Sequence, residues 1–339
     1  MNGMISQCLV SFGSNLGQRE SLIADAARRL ARFPGLGPLR TSRLFQTPPI
    51  GGPGGQEPFL NAVAAFDTTL TAGQVLQALQ RTEEELGRRR LARWGARSID
   101  LDVVLHGSLM GGHASLTVPH PRYTARLFVL RPACDVAADF RDPRFGWTLR
   151  RLAEHLQAAP PSLALVGDRC ETRQEICDRV AQRHGLRVRQ SGASLSAIPA
   201  ESIGCRGFSG PGVGWPEPVE DDLRVAGAAS APRTSARTEP MAESAAAEPW
   251  VAPSPPPLPA ADSPQTRLPE VPRLLARLQR KSGVTRWPAP HQMWPSGWRW
   301  PEYRLEIDSL DWAVDEVASA IESMRCPADP VTASGDWWV

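Results

Sequence analysis

The sequence predicts an α+β fold: a ferredoxin-like split βαβ sandwich with a mainly antiparallel sheet, followed by a Pro-rich, largely disordered C-terminal extension. The sandwich rests on hydrophobic periodicity, which switches between strand and helix patterns in the order strand, helix, strand, strand, helix, strand. The extension rests on proline. Residues 1–157 hold 10 of the 33 prolines, whereas 211–301 alone hold 18, a density that favours solvated polyproline II over packed elements.

The elements follow in order. Cys8–Phe12 is an apolar strand that stops at Gly13-Ser-Asn-Leu-Gly17. Leu22, Ile23, Ala26, Leu30 and Phe33 recur at helical spacing and predict a helix over 19–33, ended by Pro34-Gly35. Strands are expected at Leu39–Thr47 and Leu60–Thr69, and a helix over 72–86 sets Val75, Leu76, Leu79 and Leu86 on one face. Ile99–His106 alternates as the last strand and turns at Gly107. Both helices should cover one face of the sheet. A domain of this size buries a sufficient core by itself, so the first domain is placed at 1–157 and expected to fold and act alone.

Beyond it, Leu163–Val166, a turn at Gly167–Thr172 and a helix over Gln174–His184 form a short α/β segment, 158–205, with no assigned role. Residues 206–270 read as a disordered linker, typified by Pro249–Pro259, and 271–339 as a C-terminal segment with a helix near 312–324. Two strand–helix pieces around a Pro-rich insert are also consistent with a degenerate nucleotide-kinase remnant. Thr172-Arg-Gln174 stands where a phosphate loop needs Gly-Lys-Ser/Thr, so nucleotide binding is not expected there.

The net charge of +2 gives the chain no strong basic field. No run approaches the ~18 apolar residues of a membrane span, and the N-terminus shows no charged-then-apolar leader. The six cysteines are scattered without a CxxC pair and read as reduced thiols. The expectation is a soluble, cytoplasmic protein with no membrane or nucleic-acid partner.

Asp100 and Asp102 are two apart in a strand, so both carboxylates emerge on one face, where they can hold Mg²⁺ or form an exposed polar edge. Just before them, residues 88–97 carry five arginines and no acid. Arginine forks match phosphate oxygens, and the flanking Gly87 and Gly95 allow a loop to move over a polyanion. A solvated charged loop is the ordinary alternative. Its juxtaposition with two acids favours a nucleotide triphosphate. His120 and Arg126 lie near a helix start, and Phe59 and Asn61 share a strand face, as core residues or as a stacking ring and an edge-reading amide for a flat heterocycle.

Taken together, these residues resemble a family: Phe12-Gly-Ser-Asn-Leu-Gly17, Thr47-Pro-Pro-Ile-Gly51, Phe59-Leu-Asn-Ala-Val63, Arg93-Trp-Gly-Ala-Arg-Ser-Ile-Asp-Leu-Asp102, Val118-Pro-His-Pro-Arg122 and Arg126-Leu-Phe128. The chain is similar, over about residues 4–157, to 6-hydroxymethyl-7,8-dihydropterin pyrophosphokinases of folate biosynthesis. The resemblance implies Mg²⁺-dependent transfer of diphosphate from ATP to the pterin hydroxymethyl group, with release of AMP. It implies catalytic roles for Arg88, Arg97, Asp100 and Asp102, the two acids holding two magnesium ions. ATP would be bound by Gln80, Glu83, Arg90, Arg93, His120 and Arg126, and the pterin by Thr47, Pro48, Ile50, Phe59, Asn61, Trp94 and Phe128. Departures are Pro121 and Phe59 where some members have Tyr, and a loop from Arg90 to Trp94 one residue shorter than in some.

Two other classes compete. An RNA-binding module could use such a sheet, but the RNP-type strand is absent and Asp100 and Asp102 would repel phosphate without a metal. An interaction scaffold could use the Pro-rich half, where Trp287, Trp294, Trp298 and Trp300 cluster, and which could equally be a tail without its own function.

Overall fold

The computed structural model describes residues 5–52, 54–88, 96–113, 115–190, 248–280 and 300–339. β1 (Ser6–Ser14) is followed by α1 (Arg19–Ala31), β2 (Arg40–Thr41), β3 (Phe45–Thr47), β4 (Phe59–Thr68), α2 (Ala72–Glu85) and β5 (Asp100–His106). The strands form an antiparallel sheet in the order β3-β4-β1-β5, with β2 also on β4. α2 starts at a reciprocal capping box between Thr71 and Gln74, which satisfies two otherwise orphaned backbone donors.

The strand expected at Leu39–Thr47 is two short pieces. Ser42 interrupts it: its backbone N–H donates to the Val63 carbonyl (2.8 Å) and its hydroxyl accepts from the Val63 N–H (2.9 Å). A side chain thus replaces one rung of the ladder.

Alternation along β1 assigns the two faces. Cys8, Val10 and Phe12 pack with Leu60, Ala62, Leu101 and Val103 against Ile23 and Leu30 of α1 and Val75 and Leu79 of α2. Leu9, Val63, Ala65 and Leu105 face the other way and meet Leu127, Leu130 and Ala133 of α3 (Leu127–Ala137). Between β5 and α3 lie the hairpin β6 (Gly111–His113) and β7 (Leu116–Val118) and a 3-10 turn at Tyr123–Ala125.

The C-terminal half departs most from expectation. α4 (Leu149–Gln157) leads into β8 (Ser162–Val166), α5 (Cys170–His184), β9 (Arg187–Val188), β10 (Trp250–Ala252), a 3-10 turn at Pro264–Arg267, β11 (Leu274–Gln279), β12 (Glu302–Glu306), α6 (Leu310–Arg325) and β13 (Asp329–Pro330). β8 to β12 build a parallel five-stranded sheet in the order β12-β11-β8-β10-β9. Among the described residues the extension is therefore folded: residues 250–252, assigned to the linker, supply an interior strand. Residues 206–247, Trp287, Trp294 and Trp298 lie outside the described residues, and Trp300 is buried. The physical reason is placement. Pro249, Pro253, Pro272 and Pro301 flank β10, β11 and β12 rather than interrupt them, and short, wholly buried apolar runs are what a parallel sheet covered on both faces requires.

Nor is residue 157 a boundary between cores. Leu163, Trp250, Leu274 and Tyr303 belong to the same apolar cluster as Leu9, Leu130 and Leu149. β13 returns to pair with β3, after which Trp337 Nε1 donates to the Ser42 carbonyl and Trp338 Nε1 to the Thr41 hydroxyl (both 2.7 Å). No described helix is long and apolar enough to cross a membrane.

Candidate active site

Register places the chemistry. Asp100, Gly13 and Asn61 are direct cross-strand partners on β5, β1 and β4, and Thr47 lies opposite Phe59. Opposed residues in an antiparallel sheet share a face. This row therefore projects from the side away from α1 and α2, with Asp102 one step along β5 opposite Ser11. A cleft of about 130 Å³ opens over the row. Thr47, Pro48, Ile50, Phe59, Asn61 and Phe128 line it, joined by Arg97, Asp100 and Arg126. Asn61 Nδ2 donates to the Thr47 hydroxyl (2.8 Å), which orients the amide and leaves its oxygen free to accept. Gly13, between Asn61 and Asp100, keeps the floor open: a Cβ there would stand 3.5 Å from Asn61 Oδ1.

Asp100 holds two arginines, Arg88 and Arg97, one on each carboxylate oxygen. Arg88 also reaches Glu83, whose Oε1 accepts from the Leu101 N–H (2.7 Å). Burial pushes the Glu83 carboxyl up to about 7, against the pull of Arg88 and the Leu101 N–H. Glu83 therefore ties α2 to β5 and positions Arg88.

His120 Nδ1 accepts from the Arg122 N–H (3.2 Å), and Nε2 faces Asp102 at 4.0 Å. Burial, with Arg126 and Arg122 nearby, holds the imidazole pKa well below its usual value. With Nδ1 accepting, the neutral form of the ring carries its proton on Nε2. The Arg126 guanidinium lies 5.6 Å from the Phe128 ring centroid, so one residue borders both the acidic and the aromatic parts of the site.

A family model described as 7,8-dihydro-6-hydroxymethylpterin-pyrophosphokinase matches residues 9–138. The 2-amino-4-hydroxy-6-hydroxymethyldihydropteridine pyrophosphokinase of Pseudomonas aeruginosa is 41% identical over 157 residues, which are 94% of that protein and 46% of this chain. The chain belongs to this family. The enzyme of the same name from Synechocystis is 34% identical over 148 residues, 75% of its length and 44% of this chain. A folic acid synthesis protein of Pneumocystis carinii is 38% identical over 147 residues, 20% of its length and 43% of this chain. The pyrophosphokinase transfers diphosphate to hydroxymethyldihydropterin, a step of folate biosynthesis.

Of the site residues expected in this pyrophosphokinase, Arg90, Arg93 and Trp94 lie outside the described residues. Gln80 is half-buried on α2. Asn15 was not assigned a role, although it stands inside the Phe12–Gly17 motif. It is buried and clamps three segments: its N–H and Oδ1 pair with the carbonyl (3.0 Å) and N–H (2.7 Å) of Arg97, and its Nδ2 reaches the Glu57 carbonyl (3.3 Å) and Gln56. The segments before Asp100 and before Phe59 are thereby fixed to the end of β1. Gln56, Ser319 and Ser323 also line the cleft without having been expected there.

Proposed function

We propose that ATP is the donor, that Asp100 and Asp102 hold up to two Mg²⁺ ions, and that the cleft over Asn61 takes the pterin. The observation that carries this reading is the cross-strand row, which puts a heterocycle-reading amide and a metal-binding acid on either side of Gly13 in one cleft. The donor set suits magnesium. Among the described residues no cluster of three or more ligating side chains occurs, and Mg²⁺ characteristically takes one or two carboxylates and fills its octahedron with water and phosphate. When bound, it would neutralise phosphate charge and help align the triphosphate.

The chain's own residues do the rest. Phe59 and Phe128 stack the pterin from two sides, and Asn61 and the backbone at Thr47, Pro48 and Ile50 read its edge. The hydroxymethyl oxygen attacks the β phosphorus and gives up its proton to solvent, the bond from that phosphorus to the α–β bridging oxygen breaks, and AMP leaves with that oxygen. Arg97 and Arg126 stabilise the developing charge, and neutral His120 donates a hydrogen bond from Nε2. Arg88 is oriented by Glu83, and Gln80, Glu83, Arg90 and Arg93 are assigned to the ATP side and Trp94 to the pterin. The strand order supports the ferredoxin-like reading of the first sheet, and we place the enzyme in the cytoplasm without nucleic-acid or membrane partners.

Incubation with ATP, Mg²⁺ and 6-hydroxymethyl-7,8-dihydropterin should yield AMP and pterin diphosphate in equal amounts by chromatography. ADP and a pterin monophosphate would overturn the β-phosphorus assignment. Equal turnover in EDTA would overturn the magnesium assignment.

A further inference from the structure

The family match ends at residue 138, yet two residues that line the cleft come from far beyond it, on α6. Ser323 is 5% exposed and Ser319 half-buried, one turn apart on the same face, and both line the cleft that holds Asn61 and Phe128. α6 is firmly held there. Its Glu316, 1% exposed, pairs with Arg122 and accepts from the Tyr303 hydroxyl (2.9 Å). Pro121 and Thr124 are bonded to β12, through Arg304 N–H (3.0 Å) and the Glu302 carbonyl (2.9 Å). The segment from His120 to Arg126 is thus clamped between the first sheet and the second. Beyond the other end of α6, β13 pairs with β3.

We propose that α6 forms a wall of the pterin subsite, with Ser319 and Ser323 as specificity-determining residues that limit the size of the heterocycle and its substituents. This rests on the placement of the pterin over Asn61. Their small side chains suit the role: a longer residue at either position would enter the space beside Asn61 and Phe128. Asp102, one of the two acids assigned to magnesium, is not among the residues that line this cleft, so the effect should fall mainly on the pterin.

The test uses the full chain, with pterin and ATP affinities measured separately by equilibrium titration and steady-state KM. Ser319→Leu and Ser323→Leu should each weaken pterin binding by roughly tenfold or more while ATP affinity changes less than about twofold, as expected for overfilling a packed site. Ser323→Ala, which keeps the space open, should stay within about threefold of wild type. If Ser323→Leu fails to fold by circular dichroism, the half-buried Ser319 decides alone. Unchanged pterin affinity in folded Ser319→Leu, or equal loss for both substrates, overturns the proposal. Asn61→Ala separates the two readings. Weakened pterin binding there with none in the serine variants removes only the wall, whereas no change in Asn61→Ala removes the pterin placement itself.

Discussion

β1, β4 and β5 alternate between a face packed on α1 and α2 and a face that carries Asn61, Gly13 and Asp100, whereas β8, β10 and β11 are buried on both sides. On the first sheet α3 covers the second face only in part, at Leu9, Val63, Ala65 and Leu105, and the strand ends at Gly13, Asn61 and Asp100 open on the cleft, whereas β8, β10 and β11 are buried along almost their whole length. The loops differ in the same sense. After β8, where a phosphate-binding loop would present N–H groups, Arg173 occupies the carbonyls of Gly167 (2.8 Å) and Asp168 (2.9 Å), and Asp168 accepts from the Arg169 N–H (2.6 Å) and from Arg280 (2.9 Å). The loop is closed by its own side chains. The second sheet acts on the first by contact, through α6 and β13.

The sharpest way to break this contrast is to remove an acid from each sheet. Asp100→Ala or Asp102→Ala should lower kcat by several orders of magnitude, since the triphosphate loses its alignment. Asp168→Ala should leave kcat within about twofold, because a surface ion pair contributes little and nothing reacts there. Comparable losses in a steady-state assay of AMP release would mean that the second sheet takes part in the chemistry.

A smaller contrast lies within the cleft. Arg97→Ala should depress kcat with little change in pterin affinity, because its charge acts in the transition state. Phe128→Ala should weaken pterin binding by about 0.5–1.5 kcal/mol beyond lost burial and spare ATP. Matching profiles in pre-steady-state kinetics and titration would dissolve the division.

Glu83 gives a pH signature. The folded chain holds it near 7 against an ordinary 4.5, so its contribution to stability is fully present below the lower value and is lost as pH rises through the upper one. Glu83→Gln should flatten the corresponding fall in the urea midpoint between roughly pH 5 and 7.5. The smallest effect is expected where α5 meets α6. There Asp311→Asn breaks exposed pairs with Arg179 and Arg183 and should shift stability by under about 0.5 kcal/mol in the same titration.

The first sheet was legible in the sequence because its signals are local: periodicity set β1, α1, β4, α2 and β5, and the two-residue spacing of Asp100 and Asp102 set their common face. Ser42 broke the expected strand through a contact with Val63 that no window of sequence contains. The same limit hid Ser319 and Ser323, which lie on a helix held at the cleft by contacts such as that of Glu316 with Arg122, 194 residues away. Composition misled in the Pro-rich half. Proline frequency over 248–272 is high, but its positions at strand ends, and not its frequency, decide whether Trp250 and Leu274 can enter a sheet.

β13 also sets an order of assembly. The edge of the first sheet at β3, beside Thr47, is covered by residues 329–330 and strapped by Trp337 and Trp338, which are synthesised long after β3. The strands that carry the acids are translated early, but β3 keeps an open edge until residues 329–330 arrive. A proteolytic cut before Asp329 would therefore act on a strand some 280 positions earlier, as an open strand edge is also where chains pair wrongly with one another.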